Sequence, residues 1–161
     1  MRQIKQDDLS HWFILDKRYR VLYTTFMRIT TQGDYALRCI LSIARNYKNG
    51  PVAISRIVED EGLPVDYIEQ LLMKLRRKNI IKSIRGARGG YLLNKPPLDI
   101  TIKDVIEAVE GEAFKIICDR YKKHKLKYCD GVDGCLLKGV WVGLKKEIEG
   151  YLDKKTIASL L

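Results

Sequence analysis

Three cysteines near the end of the chain, Cys118, Cys129 and Cys135, are separated by ten and by five residues. The stretch Asp130-Gly131-Val132-Asp133-Gly134 between the last two offers little apolar burial, so these thiols are poor core filler. Cysteine thiolates at such a site suit an iron-sulfur cluster, zinc or copper(I). Lys122, Lys123, Lys125 and Lys127 lower the neighbouring thiol pKa values and favour the ligating form. Neither gap is the two- to four-residue step of a zinc knuckle, which weakens a zinc reading without removing it. His124 lies between Cys118 and Cys129, where it completes a Cys3His zinc site or stands solvated in a basic loop. The fourth cysteine, Cys39, falls beside the apolar stripe of a helix and reads as a core residue.

A second chemistry-bearing stretch is electrostatic. Between Lys74 and Lys95 there are eight basic residues (Lys74, Arg76, Arg77, Lys78, Lys82, Arg85, Arg88, Lys95) and no acidic one. A charge run is ordinarily a solvated face, but sign purity over this span favours contacts to phosphate. The elements that carry it support that reading. Ile68, Leu71, Leu72 and Leu75 predict a helix over residues 65–79. A shorter helix with Ile54, Ile57 and Val58 precedes it, ends near Glu61 and turns at Gly62-Leu63, with Pro64 at the first position of the next helix. Two helices joined by a short turn containing Gly match a helix-turn-helix. Residues 80–85 then read as a strand, 86–90 as a glycine-rich turn and 91–93 as the return strand, a β-hairpin wing.

Helix one runs from Thr31 to Asn46 on Leu37, Ile40, Leu41 and Ala44, and stops at Asn49-Gly50-Pro51. After the wing, Thr101 and Asp104 are spaced as a capping box, and Ile102, Val105, Ile106 and Val109 form the inner face of a helix ending at Gly111. Beyond Cys135, the 4-3-4-3 spacing of Leu137, Trp141, Leu144, Ile148 and Tyr151 is a coiled-coil-like seam. A seam places either a second subunit or the chain's own domain against this helix. The expected fold is mainly α with a small β-hairpin (α+β): a winged helix-turn-helix plus a long C-terminal dimerisation helix.

The whole chain of 161 residues is 46% hydrophobic and 31% charged, which suits one folded domain with a small satellite element. Its net charge of +10 points to an anionic partner, with double-stranded DNA first. Residues 1–26 lack sustained periodicity and read as an N-terminal extension; without them 25 basic groups still face 17 acidic ones. The expected division is 1–26 extension, 27–97 winged helix-turn-helix, and 98–161 cysteine loop and dimerisation helix. No apolar run reaches the roughly 20 residues of a membrane span and no secretory cleavage signal is visible, so a cytoplasmic location is expected. Enzymatic activity is not expected: with His11 and His124 the only histidines, no Ser-His-Asp, Cys-His-Asn or HExxH pattern is present.

In a helix-turn-helix the N-terminal residues of the second helix face base edges. Gln70 is suited to bidentate bonding with adenine, and Glu69 to accepting from cytosine. Asp66 and Glu69 are alternatively spaced as a capping box. The residues expected to contact DNA are Arg28, Asp66, Tyr67, Glu69, Gln70, Lys74, Arg77, Arg85 and Arg88.

The segments MRITTQGDYALR, GLPVDYIEQLLMKLRRKNIIKSIRGARGGYLL and TIKDVIEAVEGE, with the three-cysteine loop before VWVGLKKEIEGYL, occur in one order. In this arrangement the chain from Met27 to Leu161 resembles the Rrf family of bacterial transcription regulators, in its cluster-binding branch. The resemblance implies a homodimer on a palindromic operator, a long crossed dimer helix, and a [2Fe-2S] or [4Fe-4S] cluster on Cys118, Cys129 and Cys135. In some members the fourth ligand is a histidine three positions after the last cysteine; here Lys138 stands there. In others it is an aspartate of the first helix of the partner subunit, and Asp34 occupies that position. Because the segment around Asp34 also occurs in members without a cluster, a helix-start acid is the alternative for that residue. The wing departs from the family pattern by carrying Arg88, and the first cysteine gap is longer. The resulting expectation is a regulator whose operator affinity is set by the cluster. A structural zinc site, or a cluster-independent regulator acting through a metabolite or partner protein, is the competing expectation.

Overall fold

A computed structural model describes residues 30–112, 114, 116 and 135–161. The elements are α1 (Thr31–Arg45), α2 (Ile54–Glu61), α3 (Val65–Arg77), β1 (Ile81–Ile84), β2 (Gly90–Leu93), α4 (Ile102–Glu110) and α5 (Lys138–Lys154), with 3-10 turns at Pro97–Asp99 and Ile157–Leu160. This is a mainly helical winged helix-turn-helix, as the periodicity predicts.

Helix α1 is opened by Thr30, whose Oγ1 accepts from the Gln32 N–H at 3.1 Å. Its inner face, Ala36, Cys39, Ile40, Ile43 and Ala44, is buried. Helix α2 ends at Gly62, which takes the left-handed conformation (φ 63°) that glycine adopts without steric cost. Pro64 sits one residue before α3 rather than at its first position, with an extended ψ of 135°. The cap makes no side-chain hydrogen bond, so the spacing of Asp66 and Glu69 does not close a capping box and both carboxylates stay exposed.

The end of α3 differs from the sequence expectation in a way that sets the wing. Asn79 is not helical but left-handed, with φ 57°. Its N–H donates to the Arg76 carbonyl at 3.0 Å, and the Ile80 N–H donates to the Leu75 carbonyl at 3.1 Å. These two bonds form a Schellman motif, and buried Ile80 and Leu75 supply the apolar contact that accompanies it. The chain therefore leaves α3 at a fixed angle straight into β1.

Strands β1 and β2 pair antiparallel, with Ile81 opposite Leu93 and Ile84 opposite Gly90. Val52, just before α2, exchanges two backbone hydrogen bonds with Tyr91, at 2.9 and 2.8 Å. A Cβ on Gly90 would collide with the Val52 carbonyl, so only glycine permits this approach.

Helix α4 has the expected capping box: the Asp104 N–H donates to Thr101 Oγ1 and the Thr101 N–H to Asp104 Oδ2, each at 3.0 Å. Its inner residues Val105, Ile106 and Val109 are buried and Ile102 is half-buried. After α5 the chain returns to the head of α4, where the Ile102 N–H donates to the Lys155 carbonyl and the Ile157 N–H to the Ile100 carbonyl, both at 2.8 Å. Ile157 is completely buried and joins the same core as Ile40, Ile57, Ile68 and Leu72. The core thus runs across the expected boundary at 97/98.

Candidate nucleic-acid interface

On α3, Ile68, Leu71, Leu72 and Leu75 are withdrawn into the core. The opposite side exposes Asp66, Glu69, Gln70, Met73, Arg76 and Arg77, a stripe at helical spacing running the length of the helix. Of the expected base-reading residues, Asp66, Glu69 and Gln70 all lie on it. Tyr67 does not: it is half-buried, with its ring edge-on to Tyr35 (centroids 5.8 Å apart, planes at 85°). Burial, then the nearby Tyr35 and Glu110, push its phenol pKa up.

Lys82, Arg85 and Arg88 are exposed along the wing. Arg76, a member of the basic run outside the expected contact set, donates from Nη1 to Ser83 Oγ at 3.2 Å and ties α3 to β1. The C-terminal end of α3 and the wing therefore present basic side chains next to one another, while the N-terminal half of the stripe carries Asp66, Glu69 and Gln70. Basic side chains so placed neutralise phosphates and release their counterions on binding.

Lys74 has a different position from the other members of the run. Its Nζ donates to the Val109 carbonyl at 3.1 Å, a cation on the C-terminal end of α4 where the helix dipole favours it. The same carbonyl accepts from Gln32 Nε2 at 3.1 Å. One residue on, Glu110 Oε1 accepts from the Thr30 N–H at 3.1 Å and from Thr30 Oγ1 at 2.7 Å. Buried Gly33 leaves room for this carboxylate, since a Cβ there would lie 2.5 Å from Glu110 Oε1. Glu112 then meets Lys145 of α5 at 2.6 Å. The end of α4 is accordingly fastened to α1, α3 and α5. Sequence reasoning misses this junction because its partners lie up to 80 residues apart and no local pattern marks them.

The cysteine and dimer-helix expectations meet the structure in part. Cys135 is a free, exposed thiol three residues before α5. Cys118, Cys129, His124 and Arg28 lie outside the described residues, as does the extension 1–26. Asp34 is a half-exposed carboxylate in the first turn of α1 and accepts from Arg38 Nε at 2.8 Å. That hydrogen bond and the accompanying charge attraction push the Arg38 pKa up. Cys135 and Asp34 are each open to solvent and of the right donor chemistry for iron; among the described residues no three potential metal ligands gather. Cys39 is buried, and desolvation pushes its thiol pKa up to about 12, which suits core packing and not ligation.

On α5 only Leu152 is fully buried, with Lys145, Ile148 and Glu149 half-buried on the same side. The seam residues Trp141, Leu144 and Tyr151 are exposed, as is Leu137, which precedes the helix; Trp141 is in line with Leu152 but lies near the start of α5, where that face is left uncovered. Ile148 is shared between the two sides. Among the described residues no helix is long and apolar enough to cross a membrane.

Comparison with known proteins accords with this geometry. Residues 29–161 match the family model Rrf2, described as an iron-dependent transcriptional regulator. The HTH-type transcriptional regulator IscR of Klebsiella pneumoniae (strain 342) is 35% identical over 135 residues, covering 84% of this chain and 80% of the relative. IscR of Serratia proteamaculans (strain 568) is 36% identical over the same length, covering 84% and 79%. Among solved structures, T. potens IscR superposes with a TM-score of 0.66 at 35% identity, covering 83% of this chain and 85% of that one. CymR, the global cysteine regulator of B. subtilis, gives 0.70 at 29% identity, covering 84% and 96%. With its winged helix-turn-helix and these relatives, the chain belongs to the Rrf2 family and is a transcriptional regulator of the IscR type, not an enzyme.

Proposed function

We propose that this regulator binds a palindromic operator as a homodimer in the cytoplasm, and that an iron-sulfur cluster sets its affinity for that operator. The observation that carries the DNA reading is the exposed stripe of α3, with Gln70 and Glu69 followed by Arg76 and Arg77, tied through Arg76 and Ser83 to a wing that exposes Arg85 and Arg88. Gln70 and Glu69 read base edges, Asp66 lies beside them at the helix start, and the arginines, with Arg28, hold phosphates. The exposed Trp141, Leu144 and Tyr151 provide the apolar face on which a second copy packs.

Cys118, Cys129 and Cys135 hold the cluster, [2Fe-2S] or [4Fe-4S], with Asp34 of the partner subunit as fourth ligand. When bound, the cluster supplies sensitivity to iron supply, oxidants or nitric oxide. The chain's own contribution is mechanical. Glu110 and Glu112 lie at the root of the cysteine loop, and the bonds from Thr30, Gln32 and Lys74 connect that root to α1 and to the DNA-reading helix. A change in loop state can thereby bias the pose of α3.

The test is anaerobic isolation followed by visible and EPR spectroscopy, iron and zinc analysis, and operator binding before and after cluster removal. A coloured iron protein whose affinity changes on removal supports the proposal, and Cys118→Ser, Cys129→Ser or Cys135→Ser should each abolish the colour. Asp34→Ala should leave a weaker, more oxygen-labile cluster. A colourless protein with stoichiometric zinc supports a structural zinc site instead. Regulation that survives loss of all three loop cysteines points to a metabolite or partner protein.

A further inference from the structure

We infer that Met73 is a specificity-determining residue that reads the 5-methyl group of a thymine next to the base pair read by Gln70. This rests on the DNA-reading surface proposed above and adds a contact to it. Leu71, Leu72 and Leu75 are at most 1% exposed, whereas Met73 between them is 40% exposed. It stands at helical spacing between Glu69 and Gln70 on one side and Arg76 and Arg77 on the other.

An apolar side chain in the middle of a polar and charged DNA-facing stripe has one apolar partner on the floor of the major groove, the thymine methyl. The unbranched thioether has the reach and rotamer freedom to settle against it. The three residues from Gln70 to Met73 advance about 4.5 Å along the helix, comparable to the roughly 3.4 Å between successive base pairs. The two side chains therefore fall on neighbouring steps: Gln70 takes a hydrogen-bonding edge, Met73 a methyl.

The experiment first selects the preferred operator of the parent protein from randomised duplex DNA. Each thymine of that site is then replaced in turn by deoxyuridine, which removes only the methyl group. For the parent, one thymine per half-site, beside the Gln70-dependent position, should cost about fourfold in affinity, the scale of one buried methyl group. Met73→Ala should bind the thymine and deoxyuridine operators equally, and Met73→Leu should restore part of the difference. Because the residue is exposed, circular dichroism of both variants should match the parent. If no thymine shows methyl dependence, or if Met73→Ala keeps the parent's full dependence, the inference is overturned while sequence-selective binding stands. If the parent selects no sequence at all, the DNA-reading surface itself is refuted.

Discussion

Gly33→Ala should destabilise the chain, and the same change should stabilise a chain that already carries Glu110→Ala. In the parent, the added Cβ lies 2.5 Å from Glu110 Oε1, and the next contacts, Glu110 Cδ at 3.4 Å and Ile106 Cγ1 at 3.8 Å, are ordinary. Relief requires the carboxylate to swing away. The displaced oxygen is the one that accepts both Thr30 hydrogen bonds, so both weaken together. Hydrogen bonds to a charged acceptor contribute about 1.5–3 kcal/mol each, and partial exposure places these near the lower end, about 3 kcal/mol for the pair. Against that, alanine in a helix is favoured over glycine by about 0.5–1 kcal/mol. The net loss in the parent is about 2 kcal/mol. With Glu110 already truncated, only the gain of about 0.5–1 kcal/mol remains, so the coupling between the two sites is about 3 kcal/mol. Urea unfolding of the four proteins at one protein concentration, followed by circular dichroism, measures it. An equal effect of Gly33→Ala in both backgrounds would refute the steric reasoning.

The Cys39 thiol has a folded-state pKa raised to about 12, so folding favours its protonated form: the stability it confers is complete below the unfolded value near 9 and is lost as pH rises from there towards 12. Over that window the parent should lose about 1.4 kcal/mol per pH unit more than Cys39→Ala, measured by denaturant titration at each pH; identical slopes would contradict the burial. Arg88→Ala should lower the salt slope of DNA binding by about one unit, whereas Lys74→Gln should lower stability with the slope unchanged, because its amine is bonded to Val109. Equal slope losses in both variants would show that Lys74 also meets phosphate. Gln70→Ala should relax preference at one base pair at a cost of about 1–3 kcal/mol on the preferred site, and an unaltered selection profile would remove it from base reading.

The helical core was legible because its burial follows the 3.6-residue period: Ile68, Leu71, Leu72 and Leu75 identify α3 without any tertiary information. The capping box of α4 was legible for the same reason, since its two partners are three residues apart. What escaped the sequence depends on contacts between distant segments or on a single backbone torsion. Asn79 looks like one more helical residue until its left-handed φ shows that it turns the chain into the wing. Lys74 and Arg77 carry the same charge in the same run, and only the packing of α4 on α3 separates the amine held by Val109 from the guanidinium left in solvent. Tyr67 lies among the base-reading positions by count, yet Tyr35 of another helix takes its ring.

Ile157 has a consequence for the timing of synthesis. This completely buried residue follows Ile100 by more than fifty positions, and its N–H and side chain close the core on which the DNA-reading helix rests. A nascent chain that has emerged only as far as the wing already contains every residue of α3 and β1–β2, but not the residue that completes the core they share with α1. The winged head and the segment that follows α5 should therefore fold as one cooperative unit, late in the life of the nascent chain, rather than the head folding first and the C-terminal segment docking afterwards.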